Sequence, residues 1–465
     1  MSKAKTIREL KASGWQSRTV RQEMEENLVR KLKAGDRLFP GIVGFEDTVL
    51  PQLENAILAG HDLILLGEKG QAKSRILRNM VHFLDEEVPV IAGCEINDNP
   101  YAPICKRCRN LVVRDGEDVA IAWWPRALRY GERLAPGSRI GDLIGDLDPA
   151  KVAGGSVLSS EDALHFGLIP RMHRGLFAIN ELPDLEYLVQ VALFNILEER
   201  DIQIRGYPIR FDLDVRLMFT ANPEEYSRSG KIISQLKDRI GAEIRTHYPM
   251  TREVGMAIIE QEAHVPKDGV QVTVPTFMKH IIEQITMEAR KSPYVNQKSG
   301  VSARLSIANF ETMIANSRRR AMLLNEGRAV PRISDLNYLY TSSFGKIELD
   351  PFREETVTEF QVVTRIFEKA IKIVFDETID EETQASLSRN VKGDVMVEVS
   401  DQMPAASYQR IIPKIPAMWD AVHHLGGDEA PELQASCIEF LLEGLYASNR
   451  VSRSKLGDLV TYRSR

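Results

Sequence analysis

The run Gly67-Glu68-Lys69-Gly70-Gln71-Ala72-Lys73-Ser74 has the spacing of a phosphate-binding loop, except that Ala72 stands where the last glycine is usual. Such a loop works because backbone N–H groups turn inward at a helix N-terminus, where the helix dipole also favours anions. Lys73 would then reach β- and γ-phosphates, and the Ser74 hydroxyl would hold Mg²⁺. Alanine lacks glycine's backbone freedom, so the geometry at Ala72 is the point to examine. The competing reading is an accidental glycine–lysine turn. Context opposes it: the loop follows the apolar run Leu63-Ile64-Leu65-Leu66 and opens a helical pattern over Arg75–Leu84.

Two further apolar runs end in polar residues. Gly175-Leu176-Phe177-Ala178-Ile179 leads into Asn180 and Glu181. In a Walker B strand the first position assists Mg²⁺, and the next carboxylate polarises the attacking water. Asn180 occupies the place of the usual aspartate; it can hydrogen-bond a metal-bound water but brings no charge. Glu181 keeps the water-polarising carboxylate. Leu217-Met218-Phe219-Thr220-Ala221 leads into Asn222-Pro223, where Asn222 could orient the lytic water or touch the γ-phosphate. Taken alone, that segment reads as a strand-to-turn exit.

Cys94, Cys105 and Cys108 form a C-x10-C-x2-C arrangement in a stretch rich in Asn, Pro and Asp. Structural zinc normally takes four ligands, and no fourth is evident in the sequence; Cys437 is distant. Ordinary reduced thiols are the expectation, and no thioredoxin-like surroundings support redox catalysis. His165 and His173 flank the Glu181 strand and are expected to be structural or surface residues.

The elements that must position these groups follow from hydrophobic patterning. Short apolar runs at Leu63–Leu66, Val88–Ala92, Leu176–Ile179 and Val215–Thr220 have the length of buried central strands, and helical patterns follow them. A three-layer αβα domain with a parallel sheet is expected over residues 39–250. Residues 1–38 read as a basic helical arm (Lys3, Lys5, Arg8, Lys11, Arg18, Arg21, Arg30, Lys31, Lys33), better explained as a solvated helix face than as a phosphate contact. Residues 251–350 read as a helical domain, with long segments at Val274–Lys291 and Ser302–Asn325. Residues 351–465 read as a helical extension.

Composition sets the class. The 465 residues are 43% hydrophobic and 27% charged, with net charge −6, a balance that does not point to nucleic acid. No apolar run follows Met1, and no segment approaches the ~20 apolar residues of a membrane span. With four cysteines and no disulfide framework, a reducing cytoplasm is the expected setting.

These motifs, in this order, resemble the AAA+ clade of magnesium-chelatase ATPase subunits and MoxR-type ATPases, over roughly residues 38–320. Phe39-Pro40-Gly41-Ile42-Val43-Gly44 resembles the clade's opening, which implies that Ile42 and Val43 lie against adenine. Arg174–Glu181 resembles its Walker B run, Val191–Ile209 its helix-and-hairpin insertion, and Thr220–Pro223 its sensor 1. Leu236-Lys237-Asp238-Arg239-Ile240 is similar to the segment whose arginine reaches a neighbouring subunit's γ-phosphate. Val301-Ser302-Ala303-Arg304 is similar to sensor 2. Each arginine alone would be read as a solvated or ion-paired side chain.

The resemblance implies an ATP- and Mg²⁺-dependent hydrolase assembled as a ring, expected to be a hexamer, that remodels a partner protein. Such partners commonly carry a von Willebrand A domain. Metal insertion into a porphyrin is compatible but not favoured. The alternative is an ATP-binding scaffold with little or no turnover, which Ala72 and Asn180 keep open. A polymerase-directed activator is disfavoured, because neither a Gly-Ala-Phe-Thr-Gly-Ala loop nor a C-terminal helix-turn-helix is evident.

Overall fold

The computed structural model describes all residues except 1–2, 134–138, 154–160, 204–209, 229–230, 268, 351–356, 392–395, 428–429, 458 and 465. It divides into two compact units, Met1–His247 and Tyr248–Arg465.

The first unit is built on a five-stranded parallel sheet. Its strands lie in the order Ala242–Arg245, Leu63–Leu66, Val215–Ala221, Gly175–Ile179 and Tyr130–Arg133. The three central strands are buried throughout and mostly apolar, with Arg216 and Thr220 as buried polar members, because both faces are covered. Alternate side chains enter two cores. Leu63, Leu65, Leu176, Ala178 and Met218 meet the helices Val49–Leu58 and Lys73–Asn79 on one side. Ile64, Leu66, Phe177, Ile179, Leu217 and Phe219 meet the helix Tyr187–Glu199 on the other. The first unit is therefore a three-layer αβα domain, and the loop 67–74 follows one of its central strands.

The basic N-terminal segment is part of this unit. Its helices Ile7–Ala12 and Val20–Ala34 bury Ile7, Leu10, Val20, Met24 and Leu28. Its charges pair with acids of the same unit: Lys3 with Glu87, Arg8 with Asp118, Lys11 with Glu117, and Arg18 with Glu26 and Asp85. Deeper still, Arg129 makes a two-pronged ion pair with Glu23 at 2.6 and 2.5 Å, with both side chains buried.

The run Val88–Ala92, expected as a central strand, lies outside the main sheet. Glu87–Ile91 instead pairs antiparallel with Ile121–Pro125. Pro89 supplies the reason: it has no N–H to donate, so a strand carrying it is unsuited to pairing on both edges. Tyr130–Arg133, which has no apolar run to announce it, takes the sheet edge.

In the second unit the helices Thr276–Lys291, Arg304–Leu324, Glu359–Thr378 and Pro431–Ala447 pack around one core. Phe277 stacks on Phe440 at 4.4 Å, and Phe375 meets the same ring edge-on. The C-terminal stretch, expected to be helical, also contains a three-stranded antiparallel sheet of Val397–Val399, Leu459–Arg463 and Ser452–Leu456. Among the described residues no helix is long and apolar enough to cross a membrane.

Candidate functional site

The register of the parallel sheet brings the chemistry to one edge. Leu66 pairs with Ala221, and Ile179 pairs with Phe219 and Arg133. The phosphate loop, the Asn180–Glu181 pair and Asn222 therefore all leave the carboxyl ends of adjacent strands, the edge at which α/β sheets bind ligands.

The loop is held from behind. The Gln71 side-chain oxygen accepts from Glu68 N–H at 3.1 Å and from the Thr246 hydroxyl at 2.7 Å. A Cβ at Gly67 would come within 1.8 Å of Thr246 Oγ1, so only glycine fits there. Ala72 adopts φ 56°, ψ 14°, the left-handed conformation that glycine would take at lower cost. The loop thus keeps its shape with alanine, at the expense of local strain. Lys73 is buried, and its ammonium donates to the carbonyls of Gly67 and, at 3.0 Å, Glu68. Burial pushes its pKa down, while Glu181 and Glu68 push it up. Lys69 and Gly70 form the turn at the loop's tip, with Gly70 at φ 79°.

Behind the loop a polar chain crosses three strands. Ser74 Oγ donates to Asn180 Oδ1 at 3.1 Å, and Thr220 Oγ1 donates to the same oxygen at 3.2 Å. Asn180 Nδ2 donates to Glu132 Oε1 at 2.5 Å. Glu132 Oε2 in turn accepts from Arg78 at 2.9 Å. Ser74 and Asn180, separated by over a hundred positions in sequence, are thus in direct contact, with a carboxylate beside them.

Glu181 follows in a left-handed conformation, φ 50°, and its N–H donates to Thr220 Oγ1 at 3.1 Å. Such strain in a glutamate at a strand tip is characteristic of a functional position. Partial desolvation raises its carboxyl pKa, Lys73 opposes the rise, and Asp184 and Glu225 add to it. Asn222 caps the short helix Pro223–Ser227, its Oδ1 accepting from Glu224 N–H at 3.2 Å. The cap commits its oxygen.

Ile42 is buried in the core beside Phe39, Val43 is half-buried, and Gly41 lies against Arg75, which follows Ser74 on the phosphate-loop helix. Arg239 is on the helix Ser234–Arg239, partly exposed, and pairs with Glu198 at 2.6 Å and Asp238 at 2.8 Å. Arg304 opens the helix Arg304–Leu324 of the second unit and is exposed. The insertion expected over Val191–Ile209 begins as the helix Tyr187–Glu199 and the strand Asp201–Gln203; residues 204–209 lie outside the described residues.

Sequence reasoning missed Glu132 and Thr220 as members of this site. Thr220 could have been found from its place in the strand that carries Asn222. Glu132 follows a glycine in a strand with no apolar pattern, so nothing in the local sequence marks it. The residues fit Mg²⁺: the hydroxyl of Ser74, the amide oxygen of Asn180 and the carboxylate of Glu132 are hard oxygen donors. His173 is structural, as expected: it is buried, and its Nδ1 accepts from Asp214 N–H at 3.0 Å. The expectation that the three cysteines lack a fourth potential ligand is corrected: Asp98 lies among them.

No family model matches the chain. It is 28% identical over 175 residues to an archaeal Lon protease from Thermococcus kodakarensis, a match covering 34% of this chain and 26% of that protein. The chain thus spans about a quarter of the length of that relative. Among solved structures, NtrX from Brucella abortus in complex with ATP aligns with a TM-score of 0.41 at 11% identity, covering 84% of this chain and 72% of that one. A model of the complex between subunits BchI and BchD of magnesium chelatase aligns at 0.36 and 19% identity, over 69% of this chain and 99% of that one. A putative ATPase from Cytophaga hutchinsonii aligns at 0.32 and 14%, over 78% and 98%.

Proposed function

We propose that the chain is an AAA+ ATPase of the magnesium-chelatase and MoxR type, which binds and hydrolyses ATP at shared subunit interfaces of a ring. The contact of Ser74 with Asn180, beside Glu132 and under a phosphate loop carrying Lys73, is the observation that carries this reading. Lys73 and the loop N–H groups bind the phosphates. Ser74, Asn180 and Glu132 hold Mg²⁺, which when bound neutralises charge on the β- and γ-phosphates. Glu181 accepts a proton from the attacking water, and Asn222, its oxygen capping a helix, offers its Nδ2 to orient that water.

Arg239 is partly exposed and held by Glu198, which suits a residue presented to a neighbouring copy. An arginine acting in trans is worth about 10³–10⁵ in rate, which makes assembly a condition of turnover. Arg304 takes the place of sensor 2 in the family pattern. The ring, a hexamer, remodels a partner protein, one carrying a von Willebrand A domain, in the cytoplasm.

The scaffold alternative rested on Asn180's missing charge and on Ala72. Glu132 supports the hydrolytic reading by setting a carboxylate against Asn180, and Ala72 keeps the left-handed loop conformation. The test is steady-state ATP turnover across a wide protein concentration range, with ATP binding measured in parallel. Turnover per chain that rises with concentration and disappears in Lys73→Ala supports the proposal. Tight binding through Lys73 with no turnover at any concentration would leave the scaffold.

A further inference from the structure

Three thiols and a carboxylate that take no part in the nucleotide site converge between the strand Glu87–Ile91 and the helix Lys106–Asp115. The Sγ atoms of Cys94, Cys105 and Cys108 and a carboxylate oxygen of Asp98 all lie within 4.8 Å of one another. Cys94 Sγ and Cys105 Sγ are 4.0 Å apart. A tetrahedral zinc with Zn–S bonds of about 2.3 Å holds its sulfurs roughly 3.8 Å apart, so the cluster already has nearly that size.

The local backbone is organised around these atoms. Asn97 takes φ 59°, turning the chain so that Asp98 comes back to Cys94, four residues earlier. Asp98 is fully buried, and its two oxygens accept from the N–H groups of Ile104 at 3.1 Å and Cys105 at 3.0 Å. Those bonds fix the carboxylate and leave lone pairs for a metal. Asp98 N–H is aimed at Cys94 Sγ at 3.4 Å, and Cys108 N–H at Cys105 Sγ at 3.3 Å, contacts that favour thiolates. The Arg107 guanidinium approaches Cys108 Sγ at 3.8 Å. A buried carboxylate among three buried or half-buried sulfurs is costly unless something positive sits between them.

We propose that Cys94, Asp98, Cys105 and Cys108 bind a Zn²⁺ ion in a closed four-ligand shell. With no position left open, the ion is structural: it ties loop 94–105 to the first turn of the helix Lys106–Asp115. The surrounding apolar side chains Ile7, Leu10, Ile91, Ile96, Val119 and Ile121 share its core. Three thiolates and a carboxylate exceed the charge of one Zn²⁺, and Arg107 offsets part of the excess.

The test uses the full chain purified under reducing conditions without chelator, with metal content measured by elemental analysis. One zinc per chain is expected, retained in the control Cys437→Ala and lost in Cys105→Ser combined with Cys108→Ser. Asp98→Asn should retain zinc about 10- to 100-fold more weakly against a competing chelator. Because ligand variants can fail to fold, wild-type protein is also loaded with Co²⁺. Thiolate-to-cobalt charge-transfer bands and the visible bands of tetrahedral cobalt, displaced by one equivalent of Zn²⁺, are the expected result. A chain without zinc whose cobalt spectrum is octahedral, or a Cys94–Cys105 disulfide in that preparation, would overturn the proposal.

Discussion

Asn180 Nδ2 donates to Oε1 of Glu132 at 2.5 Å, joining the tip of the strand Gly175–Ile179 to its neighbour Tyr130–Arg133 at the sheet edge. The negative charge missing from position 180 is present one strand away. Glu132→Gln should therefore raise the Mg²⁺ concentration needed for tight nucleotide binding by about tenfold or more, while metal-free nucleotide binding changes little. Asn180→Asp should place two carboxylates face to face, lowering the melting temperature in EDTA and restoring it with Mg²⁺. Titration of a fluorescent nucleotide against Mg²⁺, with melting curves, reads both effects. Unchanged Mg²⁺ dependence in Glu132→Gln would remove Glu132 from the metal site.

Ala72 holds a left-handed backbone that costs a non-glycine residue about 1–2 kcal/mol. Ala72→Gly should relieve that strain, less the extra entropy glycine gives the unfolded chain, for a net gain of up to about 1 kcal/mol. Denaturant unfolding of the nucleotide-free protein checks the sign. Ala72→Val should weaken ATP binding, because a β-branched residue tolerates φ of this sign poorly.

The ion pair of Glu23 with Arg129 anchors the N-terminal helix to the segment that leads into the edge strand. Arg129 also donates to the Arg174 carbonyl, so removing Glu23 would leave a buried guanidinium short of its counter-charge. Glu23→Ala should cost about 3–5 kcal/mol, and Glu26→Ala, whose side chain is exposed, well under 1 kcal/mol. Denaturant midpoints of the two variants decide whether the arm is structural.

Burial and the neighbouring Arg174 hold the His173 pKa down, to about 3 from the usual 6.5. Protonation therefore favours the unfolded chain: the contribution is complete above pH 6.5 and is lost as pH falls from there towards 3. At pH 5.5 the loss from this residue should be on the order of 1 kcal/mol. His173→Gln, which can still accept from Asp214 N–H, should remove that part of the difference between unfolding at pH 7.5 and pH 5.5. An unchanged pH dependence would contradict the assignment.

Much of the candidate site was legible because its strands are buried on both faces and so read as largely apolar runs. Leu63–Leu66, Gly175–Ile179 and Val215–Ala221 announce themselves, and the polar residues that follow are conspicuous. Glu132 was not legible, since Tyr-Gly-Glu-Arg at a sheet edge carries no pattern. Val88–Ala92 misled for the converse reason: its apolar run is real, but Pro89 suits it to a two-stranded ribbon. Asp98 becomes a candidate ligand only once the turn at Asn97 is known. In the C-terminal unit, the strand Ser452–Leu456 is polar and largely exposed, so nothing in its composition separates it from a loop.

The central claim is that each ATP site is built from two chains, with Glu181 from one and Arg239 from its neighbour. The most direct measurement mixes two inactive variants, Glu181→Gln and Arg239→Ala, and follows ATP turnover. In a randomly mixed ring about one interface in four joins an intact Glu181 to an intact Arg239. Recovery of turnover towards a quarter of the wild-type rate, from variants that are each inactive alone, is the predicted result. Mixtures that assemble but stay as inactive as their components would contradict a shared site.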